Sequence, residues 1–231
     1  YNQYIIPITF IGNISIKIVI DEKNRKLTNF DFVAIENAID ALRYSFTFDF
    51  AKNEIHKKYH RDIFFNLVNS QLNYDDTTEA ANMLNLKEDA YYRVVSFHSI
   101  PEDQKEKYSL EQLDEVDIIA DQISMFYPKD HIYKNVSQIV MLQKMDSDKE
   151  DDDSRKRLNE LIDIVKKSIS KRDQNTNFNV GVGEIVKGYR NLKNSYKQSR
   201  IAMKFMKIAR RITGDINKSI VYYSKLGIFQ S

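Results

Sequence analysis

The most informative part of this sequence is Phe178-Asn179-Val180-Gly181-Val182-Gly183, which is followed by the run from Tyr189 to Arg211. The first part predicts a strand that ends in a glycine turn, and the second part predicts a helix. Small residues recur along that helix at spacings of four and three, at Ser195, Ser199 and Ala202. Such a face lets a helix lie close to a sheet, and the two glycines permit backbone conformations that side chains forbid. The stretch therefore predicts a helix packed directly on a strand.

Further strands and helices are predicted around this pair. Runs of apolar and β-branched residues predict strands at Tyr91–Phe97, Tyr133–Val136, Ile139–Leu142, Phe178–Val182 and Ile220–Tyr223. Apolar stripes predict one helix from the capping box Ser109–Gln112 to just before Pro128, and another through Leu158–Ile169. The order β-α-β-β-α-β, with one added helix and strand, predicts an α+β fold with a ferredoxin-like open sheet of about five strands covered by helices.

The N-terminus has its own pattern. Apolar runs at Ile5–Ile8 and Ile14–Ile20 flank Gly12-Asn13, which is a hairpin turn signal. They predict a strand pair within residues 1–27. Two strands alone cannot bury a core, so we expect this pair to be the end of a domain whose earlier part precedes residue 1.

A helical region should follow. Thr28 and Asp31 form a short-armed capping box that predicts the start of a helix. That helix either continues to about Tyr59 or breaks in two near Phe50. We expect further helices at Arg61–Leu72 and Asp76–Asn85, a helical linker and dimerisation region over residues 28–88, and the sheet domain over residues 89–231.

The long helix carries more apolar residues than one stripe needs. Small and apolar residues between Val33 and Ser45 form a first stripe. Off that stripe lie seven more, which are Phe30, Phe32, Ile35, Ile39, Phe46, Phe48 and Phe50. An exposed apolar patch of that size usually marks an interface, and two-fold pairing is the commonest arrangement. These seven residues are therefore predicted to form the interface of a homodimer.

Composition excludes several classes of protein. The chain has 231 residues, of which 42% are hydrophobic and 29% are charged, as in ordinary globular proteins. With no cysteine, disulfides, thiolate catalysis and cysteine-ligated zinc are excluded. Neither a membrane-spanning stretch nor a signal peptide is present, so we expect a cytoplasmic protein without a membrane partner.

Charge is unevenly distributed along the chain. Residues 155–231 hold 18 Lys or Arg and 5 Asp or Glu, although the whole chain has a net charge of only +2. Such a split fits either a half that faces nucleic acid or an ordinary solvated surface.

Several short motifs suggest a phosphate-binding or metal-binding site, but none of them matches the pattern that such a site requires. Gly181–Gly188 matches neither glycine pattern of a phosphate loop. His56 and His60 share a helix face, but Lys57 replaces the glutamate of a metalloprotease motif and no third zinc ligand is evident. Lys149–Asp153 lacks the alternating ligands of a calcium loop and predicts a flexible surface loop, with its acids near the next helix's N-terminus. His98 and His131 are isolated. We therefore expect no metal site and no cofactor.

Residues 90–227 resemble the GGDEF-like domain of the PucR/CdaR family of bacterial transcription regulators. The resemblance rests on the order of three motifs, which are the strand Phe178–Gly183, the pattern Leu-x-x-Ser-Tyr-x-x-small-Arg-x-Ala over Leu192–Ala202, and Val221–Gly227. Upstream, Arg61–Val68 is similar to the family's linker helix, and Pro7–Ile20 is similar to the tail of a GAF-type sensor domain.

The resemblance implies a catalytically inactive member. Active GGDEF domains need carboxylates for two metal ions and a glycine turn that admits phosphates. The corresponding segments here are Val95–Ser99 and Asn135–Ile139, and neither has a carboxylate or a glycine. Two-metal phosphoryl transfer without these acids is not expected. The alternatives are a nucleotide-binding pseudo-enzyme and a cyclase-like enzyme with a relocated site.

The resemblance also implies a role. We expect the sensor and regulatory portion of a transcription regulator that controls catabolic genes through dimerisation and an unknown small-molecule effector. Members of the family contact DNA through a helix-turn-helix domain that follows the last strand. With Gly227 close to the last residue, Ser231, we expect this chain to be a fragment that lacks that domain.

Overall fold

A computed structural model describes most of the chain, namely residues 2–9, 15–69, 72–98, 110–135, 138–170, 178–214 and 219–227. The chain divides into two compact units, Tyr1–Tyr59 and His60–Ser231. The predicted domain boundaries after residues 27 and 88 stay predictions. Among the described helices, none combines the length and the apolar character needed to cross a membrane.

The first unit begins with the predicted strand pair. Strands β1 (Gln3–Thr9) and β2 (Ser15–Asp21) run antiparallel, with Gln3 opposite Asp21 and Thr9 opposite Ser15. The turn signal Gly12-Asn13 lies outside the described residues. Ile8 is fully buried, and the Tyr4 ring meets Phe32 edge-on at 5.3 Å between centroids.

Helix α1 (Asn29–Asn69) is 41 residues long. Its capping box is confirmed, because the Thr28 N–H donates to the Asp31 carboxylate at 2.7 Å and the Asp31 N–H donates to Thr28 Oγ1 at 3.4 Å. The predicted separate helix Arg61–Leu72 is wrong, and so is the alternative of a break near Phe50. No glycine or proline occurs between residues 29 and 69, so nothing in the backbone stops the helix.

The second unit is built on a mixed sheet. Its strands are β3 (Tyr91–His98), β4 (His131–Lys134), β5 (Gln138–Met145), β6 (Asn179–Val182), β7 (Val186–Lys187) and β8 (Ile220–Tyr222). Its helices after α1 are α2 (Tyr74–Met83), α3 (Leu110–Phe126), α4 (Asp152–Ser170), α5 (Leu192–Lys204) and α6 (Met206–Thr213). The strand order is β4-β5-β3-β6-β8, with β7 paired to β3 beside β6. All of these pairs are antiparallel except β6 with β8. This is the predicted α+β, ferredoxin-like arrangement with one strand added at the edge.

Apolar side chains cover both faces of the sheet. On one face, Val95 and Phe97 of β3 pack into a core with α3 and α4. On the other face, Val94 joins a core formed with α2, α5 and the C-terminal end of α1. Phe64 of α1 anchors that second core by stacking on Tyr133 of β4, at 4.1 Å between centroids.

The predicted helix Tyr189–Arg211 is divided in the structure. A 3₁₀ turn over Tyr189–Asn191 precedes α5, and Phe205 separates α5 from α6. Gly188 enters the turn with φ +74°, a conformation that favours glycine. Met206, at the start of α6, is buried with Ala202 and Val221, so the second helix covers the edge strand β8.

Helix α5 lies directly against β6, as the opening stretch predicts. A Cβ atom added to Gly181 would lie 2.0 Å from the carbonyl oxygen of Ser199. A Cβ added to Gly183 would lie 2.2 Å from the carbonyl oxygen of Ser195. These distances are far shorter than any van der Waals contact, so glycine is required at both positions.

Replacing Gly181 with alanine should therefore lower the free energy of unfolding by about 2–4 kcal/mol, since the helix must move off the strand. Gly214→Ala is the matched control, because no described atom lies within 4 Å of its added Cβ and only the φ of +66° is unfavourable. The control should cost about 1 kcal/mol. Urea denaturation measures both, and equal losses would show that the close contact is absent.

Candidate functional site

The candidate site lies where the central strand ends. His98, the last residue of β3, pairs with Gln138 at the start of β5. The turn from β4 to β5 is closed by two hydrogen bonds of 2.9 Å, from Asn135 N–H to the Gln138 carbonyl and from Gln138 N–H to Asn135 Oδ1. The two segments singled out in the sequence thus meet at one edge of the sheet. Ser99, Val136 and Ser137 of these segments lie outside the described residues.

A chain of hydrogen bonds runs from this edge into the second core. Gln138 Nε2 is 3.5 Å from Ser96 Oγ, which is 2.7 Å from Ser199 Oγ. Ser199 Oγ donates to the carbonyl of Tyr196 at 2.8 Å. Because the Ser199 hydroxyl has a single proton, Ser96 must donate to Ser199 and accept from Gln138. The chain therefore links β5, β3 and α5 with each hydroxyl proton already used.

A second serine completes the contact between α5 and the sheet. Ser195 Oγ accepts from the Val94 N–H at 3.0 Å and donates to the carbonyl of Glu184 at 2.7 Å. The Gly183 N–H donates to the Val94 carbonyl at 2.9 Å, just where the β3–β6 ladder stops. Ser195 thus satisfies a backbone donor that would otherwise be buried without a partner.

The three described side chains that meet at the strand end are an imidazole and two amides. His98, Asn135 and Gln138 offer an imidazole and two amides, whereas metal-assisted phosphoryl transfer needs carboxylates. Within the described ranges, no three His, Asp or Glu residues are grouped so as to hold a metal ion. Ser96 does not have the partners of an activated nucleophile, since its Oγ bonds a hydroxyl and an amide rather than a base.

Sequence reasoning missed a buried arginine. Arg93 of β3 is only 2% exposed, and its Nε and Nη2 donate to Gln143 Oε1 at 3.0 and 2.8 Å. Its Nη1 forms an ion pair with Glu150. The sequence does carry a signal for it. Arg93 is a lone charge in an apolar strand, and it lies on the same face of that strand as Val95 and Phe97, which are buried.

The acidic run turns out to be partly anchored. Glu150 is 11% exposed and is held by Arg93 and by Arg155, whose Nη2 lies 2.9 Å away. Asp151 accepts from the Ser154 N–H at 2.5 Å, and this bond lowers the pKa of its carboxyl. The acids do lie at the N-terminus of α4, as predicted. The predicted flexible surface loop is wrong for Glu150, because this side chain is largely buried and pairs with Arg93, 57 residues earlier in the chain.

Burial shifts the pKa of other groups near this ion pair. It raises the pKa of Asp130 to about 6, although the Lys144 N–H, Arg157 and Arg93 all favour the ionised form. It raises the pKa of Tyr222 to about 12, with Glu150 adding to the effect. Both shifts are caused mainly by burial, which disfavours the charged form of each group. The ion pair of Arg93 with Glu150 holds the segment before α4 against the sheet.

The other predicted residues lie apart from this edge. His56 and His60 are both exposed on α1. His131 is partly buried in β4, where burial and the nearby His60 lower its pKa. Among the predicted interface residues, Phe30, Phe46 and Phe48 are exposed, Phe32, Ile35 and Phe50 are half-buried, and Ile39 is buried within the first unit.

Comparison with known proteins identifies a domain family. A family model described as GGDEF-like domain matches residues 70–205, which is more than half of the chain. The match covers the strand end, the β4–β5 turn and the contact of α5 with β6. No curated protein matches the chain.

Removing Arg93 should destabilise the fold strongly. Arg93→Ala leaves Glu150 buried with a single remaining partner, and we expect a loss of about 3–5 kcal/mol in unfolding free energy. Arg155→Ala is the control, because Arg155 is 42% exposed and its pairing is worth at most about 1 kcal/mol. The double substitution Arg93→Met with Glu150→Leu should recover most of the loss. Comparable losses from both single substitutions in urea denaturation would contradict this assignment.

Proposed function

The chain belongs to the GGDEF-like domain family, and we propose that it is the regulatory portion of a bacterial transcription regulator of the PucR/CdaR type. A GGDEF-like domain fits a regulatory or sensor role. The observation that carries the proposal is the strand end of this domain, where His98, Asn135 and Gln138 stand and no described carboxylate is present.

In this proposal the domain acts without catalysis. Phosphoryl transfer between nucleotides is driven mainly by metal ions that neutralise charge on the phosphates. The polar groups at the strand end are instead engaged in holding β3, β5 and α5 together. In this proposal the domain retains the GGDEF-like fold but does not catalyse phosphoryl transfer between nucleotides.

Incubation with GTP and Mg²⁺ should accordingly yield no cyclic dinucleotide and no pyrophosphate. Chromatography of the nucleotides is the readout, with an active cyclase as the positive control. Turnover that disappears when an acidic residue of this chain is replaced would overturn the proposal and favour a cyclase-like enzyme. Binding of GTP at the strand end without turnover, lost in Gln138→Ala, would favour a nucleotide-binding pseudo-enzyme.

We further propose that the protein acts as a homodimer through α1. Six apolar residues of this helix are at least half exposed, namely Phe30, Val33, Tyr44, Phe48, Ile55 and Tyr59. At about 100° per residue they fall within about 80° of arc, so they form one stripe along the helix. Their spacings of 3, 11, 4, 7 and 4 are compatible with an 11-residue repeat, a pattern of helices that pair along their length. Phe30 and Phe48 belong to the predicted interface as well, and on the continuous helix α1 they share a face with Val33 rather than lying off its stripe.

Replacing Phe30 and Phe48 with serine should weaken the dimer. Each dimer would lose four phenylalanine contacts, and with about 1.5–3 kcal/mol for each buried side chain the dissociation constant should rise at least about 100-fold. Met125→Ser is the control, because Met125 is an equally exposed apolar residue on α3. Light scattering over a concentration series measures the mass. A mass fixed near 27.2 kDa for the unsubstituted chain at every concentration would show the homodimer to be wrong.

The proposed partners are DNA and a small-molecule effector. DNA would be contacted by a helix-turn-helix domain outside these residues, and a two-fold dimer would match a palindromic site. A small-molecule effector would bias the dimer between two arrangements. We also propose that the protein controls catabolic genes and is cytoplasmic. Both statements are supported by the resemblance of the chain to regulators of this type.

A further inference from the structure

A cleft of about 390 Å³ lies between the C-terminal end of α1 and the outer face of α5. Val68 of α1 and Ile201 of α5 contribute apolar wall. The remaining wall includes four cationic side chains of α5, which are Lys193, Lys197, Arg200 and Lys204. We name this site the basic cleft, and define it by these four cations together with Val68 and Ile201. It lies within the second unit, and none of His98, Asn135 and Gln138 lines it.

The four cations form a row of one sign. Their spacings of four, three and four place them within about 60° of arc on α5, so that each is a neighbour of the next. Helix α5 contains no Asp or Glu. In the described part of the chain, no ion pair includes any of the four. Like charges at these spacings repel one another, and an anion bound in the cleft would relieve that repulsion.

The row is held in place by the packing of the helix beneath it. Ser195 and Ser199 fix α5 to the sheet from the opposite face. Tyr196 is 4% exposed, and the Arg200 guanidinium lies 6.0 Å from the centroid of its ring. Lys193 and Arg200 are half-buried, so part of their conformational freedom is already lost before any ligand arrives. Such preorganisation favours binding.

Size and charge together select the ligand. The volume is in the range of small-molecule pockets, which is about 300–1,000 Å³. Four cations in steps of about 5–6 Å suit an anion that carries several charges close together. Arginine adds a planar fork that bonds phosphate oxygens in pairs. The apolar wall of Val68 and Ile201 offers contact for a part of the ligand that carries no charge.

We propose that the basic cleft binds a small anion with two or more phosphate groups, for example the phosphate chain of a free nucleotide. This site is separate from the strand end, and it does not depend on the proposed role in transcription. If the chain is a regulator, the cleft is the site at which a phosphorylated effector acts.

Inorganic tripolyphosphate is the first probe, titrated into the full chain by calorimetry at about 0.1 M salt, where the screening length is about 10 Å. The test variant is Lys197→Ala with Lys204→Ala, since both side chains are exposed and their loss should leave the melting temperature unchanged or slightly raised. The control is Lys129→Ala with Lys167→Ala, which removes the same charge from exposed positions on the other side of the sheet. We expect binding to weaken at least tenfold in the test variant and less than twofold in the control.

A second titration distinguishes the source of the phosphates. ATP should bind at least as tightly as tripolyphosphate and should compete with it, while a 20-base-pair DNA duplex should bind more weakly than either. Equal weakening in the test and control variants would overturn the proposal, since the binding would then follow net charge alone. No binding of tripolyphosphate at millimolar concentration would also overturn it. A duplex that binds more tightly than ATP, and is lost in the test variant, would assign the cleft to nucleic acid instead.

Discussion

The fold depends on the close approach of α5 to β6. Two strand positions without a Cβ, Gly181 and Gly183, let the helix backbone come within contact of the strand backbone. Ser195 and Ser199 then reach past the strand to β3, the central strand of the sheet. With the inner face of the helix fixed in this way, Leu192 and Tyr196 are buried in the second core. The outer face is left to carry the row of cations.

The same contact explains what the strand end does. Here Ser96 points toward α5, and Gln138 and Ser199 consume its hydrogen-bonding capacity. Polar residues in a buried network of this kind give a domain a unique arrangement when all of their groups are satisfied. A second polar cluster lies toward the other end of the β3–β5 pair, where Arg93 bonds Gln143 and pairs with Glu150.

Local patterns in the sequence predicted most of the sheet. The glycine strand, the small face of α5, the capping box at Thr28 and the order of strands all depend on residues that are close together in the chain. The predicted end of the long helix at about Tyr59 is wrong, because the chain has no glycine or proline there to stop a helix and α1 continues to Asn69. The division of α5 from α6 has no glycine or proline as a marker in the sequence, and Met206 just after it is buried against Val221 of the edge strand.

Features that join distant segments could not be predicted in the same way. Arg93 and Glu150 are 57 residues apart, and only the folded sheet shows that they pair. The basic cleft needs the end of α1 beside α5, and Val68 gives no sign of that neighbour in the sequence. Which side of α1 is covered within the first unit also depends on its strands, since Ile39 is buried while Phe30 on the same helix is exposed.

Buried polar residues that begin at the strand end hold α5 to the sheet. A double-mutant cycle on Ser96→Ala and Ser199→Ala tests this link, because the two hydroxyls are 2.7 Å apart and buried. Unfolding free energies of the two single variants and the double variant give the coupling between the hydroxyls. We expect a coupling of about 0.5–2 kcal/mol, with the double variant less destabilised than the sum of the two single variants. Losses that add to within about 0.3 kcal/mol would contradict it, since independent hydroxyls cannot be the link between strand and helix.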